Sequence, residues 1–163
     1  MALDSGGTVE GRRGKISVND FAAGLLYFSF TFFLAVLTSY AILSSTRGPY
    51  IGYKVPHYLI VLVLTAFITT LVFIVASVIR YTKKIIYALI LSFLSVTISF
   101  YLYEWYIVMS RHLSVLLLPF VIVLSNGNHS AYVIDLGQIS LVIVIMLAYV
   151  IHNYHKTSSG GFR

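Results

Sequence analysis

The chain has no cysteine. Disulfides, thiolate metal sites, iron–sulfur clusters and cysteine nucleophiles are therefore excluded. Charge is nearly as scarce: only 10% of the 163 residues are Asp, Glu, Lys or Arg, against about 25% in an ordinary soluble domain. A water-soluble fold of this length could not cover its surface with so few charges. There is no Gly-rich phosphate loop, no HExxH zinc motif and no GxSxG elbow, so no catalytic constellation is offered and a non-enzymatic role is expected. No internal repeat relates the two halves of the chain, which leaves an inverted-repeat transporter without sequence support.

What fills the space is apolar. Hydrophobic types make up 59% of the chain, and they come in long runs instead of alternating or amphipathic patterns. Four runs are long enough to require a lipid solvent. They predict an all-α integral membrane protein with spans at about 21–43, 56–79, 85–109 and 132–151, making a domain over 20–153. The first run is too long for the apolar core of a secretory signal, roughly 7–15 residues, and is expected to be retained. Asn19 or Asp20 is placed to cap it. Residues 1–19, polar and Gly-rich with Arg12, Arg13 and Lys15, are expected to form a flexible basic tail. Residues 154–163 form a second polar tail.

The run 113–124 fits less easily. Mostly Leu and Val, with Pro119 in the middle, it would be only about 18 Å long as a helix. A re-entrant or interfacial segment is expected there, with a fifth span as the alternative. Asn126-Gly127-Asn128 follows as a turn signal, and Asn128-His129-Ser130 is a glycosylation sequon.

The basic residues orient the spans. With four spans and both termini in the cytoplasm, the inner side holds eight Lys and Arg (Arg12, Arg13, Lys15, Arg80, Lys83, Lys84, Lys156, Arg163) and the outer side three, Arg47, Lys54 and Arg111. Five spans would reduce this to six against five, so the positive-inside rule favours four, in the cell membrane. The net charge of +6 is thereby a topology signal, and no nucleic-acid partner is expected.

Two sets of residues stand out. The first is a pair of small-residue stripes: Ala88, Ser92, Ser95 and Ser99 in the third span, and Gly24, Thr31, Ala35 and Thr38 in the first. Each set shares a helix face. In lipid, helices associate by close backbone approach, which small faces permit. Packing is the stronger reading, and a hydroxyl-lined translocation path the weaker one. The second is a polar cluster expected at the outer face: His57, Glu104, Arg111, His112, Asp135 and Gln138. Glu104 or Asp135 could pair with Arg111 or a histidine, either as an interfacial salt bridge or as an ion or proton site. Haem ligation by His57 and His112 is disfavoured because both lie at span ends, and no cofactor or metal is expected. No span centre carries a charge.

These observations lead to a small non-catalytic membrane subunit, surrounded by lipid and by other membrane subunits of a larger complex, with a respiratory or other energy-transducing assembly as a plausible host. The alternatives are a homo-oligomeric channel or transporter with its polar residues at the outer mouth, and a histidine-ligated haem anchor.

Overall fold

The computed structural model describes residues 18–45, 55–127 and 129–157. Three helices are long and apolar enough to cross a membrane: α1 (Val18–Ser45), α2 (His57–Ile79) and α3 (Lys83–Arg111). At 1.5 Å per residue they are roughly 42, 35 and 44 Å long, sufficient for a hydrocarbon layer of about 30 Å. A fourth helix, α4 (Leu136–Thr157), follows a three-stranded sheet of β1 (Ser114–Leu118), β2 (Val121–Asn126) and β3 (His129–Ile134). The expected terminal tails lie largely outside the described residues. Where they are described they are helical: α1 begins at Val18, so Asn19 and Asp20 sit inside its first turn. Asp20 still complements the helix dipole from there.

Local chemistry sets the breaks between α2 and α4. Arg80 leaves α2 in extended geometry, its N–H donating to the carbonyl of Ala76. Thr82 caps α3, its side chain accepting from the N–H of Ile85 at 3.4 Å. α3 ends at His112, which adopts the left-handed conformation (φ 53°) and returns its N–H to the carbonyl of Val108.

The third helix is the axis of the bundle and packs against each of the other three. Phe73 of α2 and Ala88 and Leu89 of α3 form a buried cluster, joined by Phe28 of α1 and Leu147 of α4. Edge-to-face ring pairs, Phe21 with Tyr87 and Phe67 with Phe100, tie α3 to α1 and α2. Gly24 marks the closest approach: a Cβ there would stand 2.8 Å from the Cβ of Tyr87 and 2.9 Å from the carbonyl oxygen of Lys84. By contrast, only 11% of the apolar stretch of α1 is buried, so this helix turns most of its surface away from the protein.

The two small-residue stripes line these contacts. Ala88, Ser92 and Ser99 are buried, and Ser95 is half-buried. Ser92, Ser95 and Ser99 each donate to the carbonyl three residues back, so their hydroxyls are satisfied within their own helix. In α1, Gly24 and Ala35 are buried and Thr31 half-buried. Thr38 departs from the expected stripe: it is exposed, donates to the carbonyl of Leu34, and Ser39 takes the buried position. The cause is a change of neighbour. α1 meets α3 at Gly24 but meets α2 at Ser39, whose hydroxyl accepts from Thr65 at 3.1 Å.

The segment 113–124 is not a re-entrant helix or a fifth span. It forms β1 and most of β2, and β3 completes an antiparallel meander. β3 also takes residues 132–134, so the last helix starts at Leu136 and not at residue 132. Its apolar stretch, Leu136–Ile151, is about 24 Å long. α4 runs antiparallel beside α3: Ser140 meets Thr97, and Leu147 reaches the cluster around Ala88.

Candidate functional site

Several polar groups meet where α3, α4 and the β1–β2 turn come together. That turn is Pro119-Phe120, closing the Leu118–Val121 pair. Proline fixes its own φ near −65°, and Phe120 takes φ 62°. Proline followed by a positive φ is the pattern of a type II turn, where glycine or asparagine is usual at the second position. A phenylalanine there is strained and must be held by its surroundings.

Gln138 holds it. Its Oε1 accepts from the N–H of Phe120 at 3.0 Å, and its Nε2 donates to the carbonyl of Leu118 at 3.4 Å. The carbonyl of Phe120 accepts from the N–H of Asp135 at 2.9 Å. The turn is thus fastened to the first residues of α4 by three hydrogen bonds.

Asp135 is the N-cap of α4. Its Oδ1 accepts from the N–H of Gln138 at 2.8 Å, and the helix dipole favours a carboxylate at this place. The residue is fully buried, and its Oδ2 has no hydrogen-bond partner. Glu104, half-buried in the penultimate turn of α3, likewise has an Oε1 without a partner. The two carboxylates are near enough to repel each other, and the phenol of Tyr101 lies in the field of both. Tyr101 approaches so closely that a Cβ on Gly137 would stand 3.0 Å from its Cζ and 3.1 Å from Asp135 Oδ1. One turn deeper, Thr97 and Ser140 share a hydrogen bond of 2.8 Å between α3 and α4.

The structure therefore divides the expected outer cluster. Glu104, Asp135 and Gln138 come together. Arg111 and His112 lie beyond them at the exposed end of α3. His57, exposed at the start of α2, opens on a different cleft, between α1 and α2, bordered by Tyr40, Ser44 and Tyr58. Glu104 Oε1 and Asp135 Oδ2 are buried and accept no hydrogen bond. His57 and His112, the pair weighed as haem ligands, are both exposed. No group of three or more metal-ligating side chains occurs among the described residues. Asn128, the acceptor of the sequon, lies outside the described residues, and His129 is exposed at the start of β3.

Sequence reasoning missed Tyr101, Gly137, Thr97 and Ser140. The one signal available was the Asp135-Leu136-Gly137-Gln138 string, which reads as a cap followed by a residue too small to shield it.

Beside this site, the sheet presents a different chemistry. No Asp, Glu, Lys or Arg occurs between Ser114 and Ile134. The register aligns Leu117, Ile122 and Val133 on one face, and Leu116, Val123 and Tyr132 on the other. Ile122 in the central strand is buried, whereas Leu116 and Leu117 of β1 are 59% and 63% exposed and Tyr132 and Ile134 of β3 are 75% and 63% exposed. Both faces are apolar at these positions, and among the described residues no further strand pairs with β1 or β3. Comparison with protein-family models, with curated proteins and with solved structures finds no match.

Proposed function

We propose that this protein is a non-catalytic membrane subunit that joins a larger assembly through the sheet β1–β3. The observation that carries the reading is the sheet's conflicting solvent demand. In water, its exposed apolar side chains would cost about 25 cal/mol per Å². In hydrocarbon, each unpaired N–H or C=O along the edges of β1 and β3 would cost several kcal/mol. A protein surface that adds a strand or covers the edge meets both demands. Leu116, Leu117, Phe120, Tyr132 and Ile134 are the exposed apolar side chains such a partner would cover.

The four-span arrangement with both termini in the cytoplasm belongs to the same reading. It is supported by the antiparallel course of α4 along α3 and by the excess of Lys and Arg on the side where α1 begins. α4's apolar stretch is short for a span, but it is anchored to α3 along its length.

The chain has no cysteine, which makes the test direct. A photo-crosslinker or single cysteine at Leu117 should couple the protein to another polypeptide in native membranes, and adding Val115→Lys, on the same face of β1, should abolish the product. A monodisperse monomer in mild detergent, with no crosslinked product from membranes, refutes the reading.

A second reading, a channel or transporter, is favoured by one observation: Glu104 and Asp135 each keep a buried oxygen without a hydrogen-bond partner. Such a pair is suited to binding a cation or passing a proton. Liposome flux abolished by Glu104→Gln and Asp135→Asn would support it, and flux unchanged by both would remove the pair from any transport mechanism.

A further inference from the structure

At the opposite end of the bundle, α1, the end of α2 and the first turn of α3 border a gap beside the close contact at Gly24. The gap is a cleft of about 600 Å³. Its mouth carries Arg80, Lys83 and Lys84, all exposed, together with one anion, Asp20. Its walls are largely apolar, formed by Tyr27 and Thr31 of α1 and by Val72, Phe73 and Ala76 of α2. The first turn of α3 opens into the mouth, adding the positive end of its dipole to the three side chains.

We infer that this cleft is a binding site for an anionic phospholipid, with the phosphate held by Arg80, Lys83 and Lys84 and one acyl chain lying between α1 and α2. Charge complementarity selects the headgroup: among the described residues, three cations against one carboxylate leave a positive mouth. The depth selects a lipid over a free anion. From Arg80 to Val72 the wall descends eight residues, about 12 Å, and apolar lining at that depth has no use for inorganic phosphate. Basic pockets between transmembrane helices at the membrane surface are the usual seats of acidic headgroups. The site also accounts for the poor coverage of α1, only 11% of whose apolar stretch is buried by protein. A lipid bridging α1 and α2 fills part of what the helices leave open.

The test uses the full chain purified in mild detergent. Retention of phosphatidylglycerol, phosphatidylcholine and inorganic phosphate is measured by native mass spectrometry and by thermal stabilisation. Phosphatidylglycerol should bind at least about tenfold tighter than phosphatidylcholine, with the preference shrinking as salt is raised. Arg80→Gln combined with Lys83→Gln and Lys84→Gln should erase the preference. Ala76→Phe, which fills the cleft without changing charge, should displace the lipid with the mouth intact, and it keeps the proposal testable if the triple variant fails to fold. Equal retention of the two lipids, or a preference unchanged in either variant, overturns the assignment. Inorganic phosphate competing as well as the lipid overturns it too, since the site would then be one for small anions.

Discussion

Gly24 is where the packing of α1 can be tested most sharply. In Gly24→Ala, the new Cβ would lie 2.8 Å from the Cβ of Tyr87 and 2.9 Å from the carbonyl oxygen of Lys84. Neither atom can swing away, because one is a Cβ and the other is backbone. Ordinary carbon contacts lie at about 3.5–4.0 Å, so the helices must separate locally by roughly 0.8 Å. Overpacking of this kind costs about 1–3 kcal/mol. The gain in helix propensity from Gly to Ala returns at most about 1 kcal/mol, so overpacking in the middle of its range leaves a net loss of about 1 kcal/mol. Lipid supplies no hydrophobic drive to hold α1 in place, and α1 is the least buried of the three long helices, so the loss should appear as early detachment of this helix. Detergent-unfolding curves followed by circular dichroism, with a crosslink between α1 and α3 as the local probe, measure it. Truncating Tyr87 to Ala in the same background should give no rescue, because its Cβ and the Lys84 carbonyl remain. A Gly24→Ala protein as stable as the parent, with the crosslink intact, would refute the reasoning.

Three further outcomes are expected. At Phe120, glycine should be more stabilising than alanine by about 1 kcal/mol, since only glycine takes a positive φ without penalty; equal melting temperatures for the two variants would contradict the strain. Gln138→Ala should loosen the β1–β2 turn by about 1–2 kcal/mol through loss of the bonds to Phe120 and Leu118, read as faster proteolysis within residues 113–134 while the helices stay protected. Thr97→Val should cost about 0.6 kcal/mol, the usual worth of an interhelical hydrogen bond in a membrane, and Ser140→Ala in that background should add little, because both substitutions break the same bond.

Much of the helical part was legible because lipid imposes a coarse requirement. A helix must be long and apolar to cross, and length and hydropathy are read directly from the chain. α2 begins and ends within a residue of expectation, since Pro56 and Arg80 bound it chemically. Spacing alone places Ala88, Ser92 and Ser99 on one helix face, and all three are buried in the structure. Ser39 in place of Thr38 did not follow, because it depends on α1 leaving α3 for α2 partway along its length.

The segment from Ser114 to Ile134 was illegible for a different reason. Its strands are apolar on both faces, so they lack the alternation that marks a half-buried strand. The signals present were two short turns, Pro119-Phe120 and the one at Gly127, separating runs of five and six residues. Those runs become strands only by pairing with one another.

By itself the sequence determined that there are helices long and apolar enough to cross a membrane, since so few charges are set between such long apolar runs. It also named the residues small enough for those helices to touch. The tertiary structure alone decided that Glu104, Asp135, Tyr101 and Gln138 meet, and that Arg80, Lys83 and Lys84 rim a cleft with largely apolar walls. The physical reason is range. Partition into a membrane is a sum over neighbours along the chain, whereas a site is a meeting of residues that only packing brings together.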